Sequence, residues 1–192
     1  HGSGITLVPR ILEELGFENV YIVSEQEEPD SSFPTIDYPN PEDPTVYELA
    51  LKLARQVDAD IILATDPDAD RVGLQVKDKD GNYQIYNGNM IGEIITEYLL
   101  SQRQAKGTLP DNGAIVKTIV STNMVDKMAQ WYGVTLFEVL TGFKYIGEKI
   151  KEFEATNSHD FLFGFEESYG YLIGTYARDK DAVAAVMILC EA

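Results

Sequence analysis

Cysteine is almost missing from this chain: Cys190 is the only one in 192 residues. No internal disulfide can form, which fits a reducing cytoplasm. Cys190 follows Ile188 and Leu189 and is expected to act as a small buried hydrophobe. Histidine is nearly as scarce. Neither His1 nor His159 lies in a motif that would pair it with a nucleophilic serine. Long apolar runs are absent too. The longest, Ala182 to Cys190, is far too short to span a bilayer, and no signal peptide is visible. The dinucleotide-binding glycine fingerprint does not occur, since Gly2 and Gly4 lack a third glycine. Positive charge is in short supply, with 15 basic against 32 acidic residues and a net charge of -17. Such a field repels nucleic acid and anionic membranes, so neither is expected as a partner. It repels phosphorylated metabolites as well. Any phosphate site must therefore be neutralised locally, by a metal or by arginine.

What the chain does have is a concentrated acidic loop, Asp66-Pro67-Asp68-Ala69-Asp70-Arg71. It directly follows the apolar run Ile61-Ile62-Leu63, which reads as a buried strand. Carboxylates that end such a strand face the crevice where α/β sheets bind ligands. Three carboxylates that close repel one another unless a cation sits between them. Hard oxygen donors suit Mg²⁺, Mn²⁺ or Ca²⁺. Pro67 restricts the backbone between the first two acids. Arg71 is placed to pair with a carboxylate or to meet a phosphate bidentately. The bland reading is a solvated acidic turn, because aspartate is common in turns. An EF-hand is excluded by spacing: Arg71 stands where glycine is required and Lys77 where glutamate is. A phosphatase using Asp66 as nucleophile and Asp68 as acid stays open as a rival.

Periodicity sorts the rest into two consecutive units. Leu7, Val8, Ile11, Leu12 and Leu15 recur at helical spacing, with Gly16 as the stop. Val20 to Val23 reads as a short strand. Ser24 to Pro44 carries five prolines and reads as a surface loop, long for a compact domain. Asp43-Pro44 opens a helix whose apolar face is Val46, Leu49, Leu53 and Val57. After the acidic loop, Val72 to Val76 and Tyr83 to Tyr86 flank Asp80-Gly81, a two-residue hairpin signal. Ile91, Ile94, Ile95, Tyr98 and Leu99 mark the next helix. Periodicity then fades from Ser101 to Asn112, which places a boundary between a first domain, 1–106, and a second, 107–192. The second reads as strand 114–120, helix 124–132, strand 134–140, a helix through Ile146, Ile150 and Phe153, strand 161–163 and a last helix after Asp181. This alternation predicts an α/β fold: two consecutive three-layer α/β/α domains with mixed, mostly parallel sheets.

Three loops follow predicted strands: 66–71, 141–144 and 166–168. A fourth charged stretch, 178–181, opens the last helix. Glu166 and Ser168 can lie on one side of an extended segment. A carboxylate and a hydroxyl so spaced suit neighbouring sugar hydroxyls. Lys180 could set a positive charge near a phosphate, although a solvated helix-entry lysine is the plainer reading.

Taken together, Asp66 to Arg71, Thr141-Gly142-Phe143-Lys144, Gly164-Phe165-Glu166-Glu167-Ser168 and Arg178-Asp179-Lys180-Asp181 resemble the α-D-phosphohexomutase family of phosphoglucomutases and phosphomannomutases. His1-Gly2-Ser3-Gly4 looks like that family's entry into its second domain. The resemblance implies the middle two domains of a four-domain enzyme. It implies that Asp66, Asp68 and Asp70 hold Mg²⁺ together with a phosphoserine. Arg71 would contact the bisphosphorylated sugar, Glu166 and Ser168 would bind sugar hydroxyls with help from Thr141, and Lys180 would assist proton transfer near the substrate. The family interconverts sugar 1- and 6-phosphates through phosphoserine and a bisphosphorylated sugar. Its catalytic serine and main phosphate-binding loop belong to the first and fourth domains, and neither motif occurs here. The 192 residues alone are therefore expected to be inactive. Phe165 before the glutamate and Tyr169 after the serine resemble the bacterial branch related to phosphopentomutases. Glucose, mannose and pentose phosphates all remain open as substrates, and a non-catalytic sugar-phosphate-binding module is a further alternative.

Overall fold

The computed structural model describes all 192 residues, His1 to Ala192. α1 (Gly4–Glu14) buries Leu12 and ends at Gly16, whose φ of 87° only glycine adopts freely. A one-turn helix, α2 (Ser24–Glu27), interrupts the expected loop. Asp43 caps a 3₁₀ turn (Pro44–Tyr47) through the Thr45 amide, and α3 (Glu48–Val57) continues from it. β1 (Ile61–Thr65), β2 (Val72–Lys77) and β3 (Tyr83–Tyr86) then form a three-stranded sheet in that order. α4 (Gly88–Ala105) follows, with the Asn87 side chain accepting from the Met90 amide as its cap. The second unit runs β4 (Gly113–Thr118), α5 (Met124–Tyr132), β5 (Thr135–Val139), α6 (Phe143–Thr156), β6 (Asp160–Glu166), β7 (Gly170–Ile173) and α7 (Ala182–Glu191). Its sheet order is β5-β4-β6-β7, with β4 parallel to both neighbours and β7 antiparallel to β6. The α/β class with parallel and antiparallel pairing is as the alternation predicts.

Several details differ from the expected pattern. The first sheet is wholly antiparallel, because residues 20–23 form no strand. Val20, Tyr21 and Ile22 are instead exposed. A strand needs a ladder partner, and the free edge of β1 is separated from this segment by a cavity of about 1100 Å³ walled by α1, α3 and β1. The hairpin connection is five residues, 78–82, rather than two. The Asp78 carboxylate accepts from the amides of Asp80 and Asn82 and so widens the turn. β7 carried no alternation that would mark it, being apolar throughout and buried on both faces.

One core joins the two units. Leu12, Val72 and Leu74 share it with Ile91 and Ile95 of α4, Phe163 and Phe165 of β6, Tyr171 of β7 and Val186 of α7. α4 approaches β6 closely at Gly92: a Cβ there would meet the Phe165 ring at 2.5 Å. Burying a ring such as that of Phe165, which is 0% exposed, stabilises by roughly 1.5–3 kcal/mol. The shared core fixes the acidic loop of the first unit relative to the loops of the second. No helix is long and apolar enough to cross a membrane. Burial raises the Cys190 thiol to about 11, in line with a packing role.

Candidate metal centre

The acidic loop begins where β1 stops pairing. Asp66 is 3% exposed, and its Oδ1 accepts from the amides of Asp70 and Arg71, both at 3.0 Å. Its Oδ2 meets Arg71 Nε at 2.9 Å. These bonds hold Ala69 at a φ of 58°, a region that costs an L-residue roughly 1–2 kcal/mol. The loop is supported from outside as well. Ser3 donates to the Pro67 carbonyl from its amide at 2.8 Å and from its hydroxyl at 3.0 Å. As a result the carboxylate oxygens of Asp66, Asp68 and Asp70 come within 4.8 Å of one another. Asp68 is exposed and Asp70 half-buried.

Electrostatics separates the three acids. Burial pushes Asp66 up, but hydrogen bonds from the Arg71 amide and guanidinium outweigh it and leave the carboxyl below its ordinary range. Burial raises Asp70 to about 6, and the neighbouring Asp66 carboxylate adds to the shift against the pull of Lys180. Asp70 thus resists ionisation where it stands. A divalent cation among three hard oxygen donors would remove that penalty, so the residues fit a magnesium-type ion. Asp66 retains a free lone pair on Oδ2 after its bonds to Arg71, enough for one metal bond.

The loops of the second unit reach the same place. Lys180 Nζ lies 2.9 Å from Asp70 Oδ2 and over the Phe143 ring at 5.4 Å. Burial lowers the pKa of this ammonium, but Asp70 and Asp179 more than restore it. The Ala182 amide donates to the Ala69 carbonyl at 3.1 Å, and the Val72 amide to the Tyr169 carbonyl at 3.2 Å. Arg71 and Gly170 form an antiparallel bridge. Glu166 stands at the end of β6, buried, with Oε1 accepting the Gly142 amide at 2.7 Å. Burial is the main cause of its raised pKa. Thr141 is exposed beside that contact, and Ser168 is half-buried. All four motifs therefore meet along one continuous set of contacts.

The residues match two family models, "Phosphoglucomutase/phosphomannomutase, alpha/beta/alpha domain II" over 1–81 and the corresponding domain III over 87–192. The chain belongs to the phosphoglucomutase/phosphomannomutase family. A phosphoglucomutase of Staphylococcus epidermidis is 41% identical over 191 residues, covering 100% of this chain and 34% of that relative. One from Staphylococcus aureus is 36% identical over 192 residues, again covering 34% of the relative. The chain thus spans about a third of the length of these relatives. A solved structure described as a putative phosphomannomutase from Thermus thermophilus superposes with a TM-score of 0.73 at 25% identity, over 99% of this chain and 39% of that one. A Burkholderia thailandensis member of the phosphoglucomutase/phosphomannomutase family, at 21% identity and a TM-score of 0.75, covers 100% of this chain and 38% of its own and shares the fold.

Within this phosphoglucomutase/phosphomannomutase chain, some site residues carried no sequence signal. Asn40 Oδ1 accepts from Arg71 Nη1 at 3.3 Å, so the proline-rich excursion reaches the edge of the site instead of being plain surface. Ser3 supports the acidic loop from the first turn. Asparagine is not distinctive in a loop, and although Ser3 lies in the 1–4 stretch noted for its resemblance, only folding across 31 and 64 positions reveals what each residue holds.

Proposed function

We propose that this chain is the metal- and sugar-binding middle of a Mg²⁺-dependent phosphohexomutase that interconverts the 1- and 6-phosphates of a sugar, glucose first. The observation that carries the reading is the convergence of the carboxylate trio with Lys180, Glu166 and the 141–144 loop. The first-choice sugar rests on the relatives named phosphoglucomutase. In this reading Asp66, Asp68 and Asp70 hold the cation, which stabilises charge on the phosphoryl group in transfer. Arg71 locks Asp66 in its bonding direction and turns its remaining guanidinium edge to the substrate. Lys180, kept protonated by Asp70 and Asp179, serves as a proton donor and counter-charge. Glu166, Ser168 and Thr141 take sugar hydroxyls and must accept two orientations of a bisphosphorylated sugar. The phosphoserine that exchanges phosphoryl groups with that sugar lies outside these residues.

The phosphatase rival is weaker on a specific point. A nucleophilic Asp66 needs one lone pair for the cation and another for attack, yet Oδ1 accepts the Asp70 and Arg71 amides and Oδ2, already held by Arg71, keeps only the one that a metal bond would use. The test is a coupled assay of the complete gene product with glucose 1-phosphate and Mg²⁺. Turnover that needs catalytic glucose 1,6-bisphosphate supports the mutase. Net release of inorganic phosphate, abolished in Asp66→Asn, would support the phosphatase instead.

A further inference from the structure

Between the two sugar-facing residues of the 166–168 loop lies a third acid that the reading above does not use. The extended segment ends at Glu166; residues 167–169 form the turn between β6 and β7, and Glu167 turns its carboxylate to the end of β4. Its Oε2 accepts from Thr118 Oγ1 at 2.8 Å and from Ser121 Oγ at 3.3 Å. The two hydroxyls are themselves 2.7 Å apart, and Thr118 is 0% and Ser121 5% exposed. Three oxygens thus form a small triangle at the carboxyl end of β4, in which the two hydroxyl protons serve two of the three edges at a time and the Glu167 carboxylate is an acceptor only.

That triangle stands on rigid ground. Lys117 is fully buried; its ammonium meets Glu138 Oε1 at 2.8 Å and the Ser121 carbonyl at 3.4 Å. The Thr122 amide donates to Asn89 Oδ1 at 3.0 Å, and the Thr122 hydroxyl to Glu93 Oε1 at 2.6 Å. The 119–122 loop is therefore tied both to the sheet and to the first turns of α4. On either side of Glu167, the chain is held at Glu166 by the Gly142 amide and at Tyr169 by the Val72 amide. Tyr169 has a φ of 69°, a conformation a free loop would leave. Pre-set geometry of this kind lets a site bind without first ordering itself.

We infer that Glu167 is a positioning residue: through Thr118 and Ser121 it fixes the directions in which Glu166 and Ser168 meet the sugar. This deepens the mutase reading and rests on it. The experiment measures kcat, KM and Mn²⁺ affinity in the complete enzyme for wild type, Glu167→Ala, Glu167→Gln and Thr118→Val. Glu167→Ala is expected to raise KM for glucose 1-phosphate about tenfold or more, leaving Mn²⁺ affinity within about twofold, the scale of losing hydrogen bonds to a charged group. Glu167→Gln, whose amide oxygen can accept the same hydroxyls, is expected to recover to within about threefold. Thr118→Val, which keeps the side-chain shape, is expected to repeat much of the Glu167→Ala defect. A KM unchanged in both Glu167→Ala and Thr118→Val, with only melting temperature lowered, overturns the positioning role and leaves the mutase reading standing. A wild-type enzyme inactive on sugar phosphates overturns the mutase reading itself, and the role of Glu167 with it. If Glu167→Ala does not fold, the glutamine and valine variants decide the matter by the same KM criterion.

Discussion

Gly88→Ala puts the convergence of the two units to a demanding test, because Gly88 touches no part of the chemistry. It is the first residue of α4, where alanine would carry no helix-propensity penalty. Here a Cβ would lie 2.7 Å from the Glu167 carbonyl carbon and 3.0 Å from the Tyr169 nitrogen, with the carbonyl oxygen closer still. Ordinary contact begins near 3.4 Å, and the Glu167 carbonyl oxygen sets the demand, so the backbone of the sugar loop must retreat by more than about 1 Å. No flexible side chain can yield in its place. Overpacking of this kind costs roughly 1–3 kcal/mol, which for a chain of this size lowers the melting temperature by about 3–10 °C. A catalytic or binding group displaced by about 1 Å can lose about a hundredfold in rate. The expected outcome in the complete enzyme is a fall in kcat/KM of tenfold to about a hundredfold, with the fold retained by circular dichroism. An enzyme that keeps kcat/KM within threefold, while the melting temperature of the 192-residue chain falls as calculated, would refute the claim that α4 sets the position of the sugar loop.

Other outcomes follow from the same geometry. Asp68→Asn, an exposed change with little expected effect on folding, should lower turnover of the complete enzyme by about a hundredfold, the scale of losing one element of charge stabilisation; unchanged turnover at saturating Mg²⁺ would remove it from the ligand set. Glu166→Ala should raise KM or alter the choice of sugar more than it lowers the melting temperature, and a variant that simply unfolds would assign it to structure. Asp70 is held at about 6, above its ordinary 3.8. The folded chain therefore keeps a proton that the unfolded chain has released, so this stabilising contribution is complete below about pH 4 and lost as pH rises through 6. A cation competes with that proton. The Mg²⁺-induced rise in melting temperature should accordingly be larger at pH 7 than at pH 5, and scanning calorimetry showing the reverse would contradict the assignment.

Local chemistry made much of this legible in advance. Ile61 to Leu63 ahead of three aspartates marked β1 and its loop because hydropathy and charge change sharply within a few residues, although only Ile62 of β1 is buried and Asp66 is buried with it. Asp43 and Asp181 announced helix starts, and both side chains cap as their type suggests. Gly133, at a φ of 71°, ends α5 as a left-handed residue. What stayed hidden depends on distant partners. Val20 to Val23 has strand chemistry but finds no edge to pair with. β7 is apolar on both faces and so lacks a period. The contact of Lys180 with Asp70 joins residues 110 positions apart, and a solvated helix-entry lysine would read the same way in the sequence. Asn40 is hidden for the same reason: a loop asparagine becomes part of a site only when another element brings Arg71 to it.

The central claim, that the aspartate trio is a divalent-cation site, is tested most directly by titrating the 192-residue chain with Mn²⁺ and following free ion by electron paramagnetic resonance. One saturable site per chain, weakened at least about tenfold in Asp68→Asn and competed by Mg²⁺, is the expected result. Uptake that does not saturate, or that is the same in the wild-type chain and in Asp68→Asn, would contradict it.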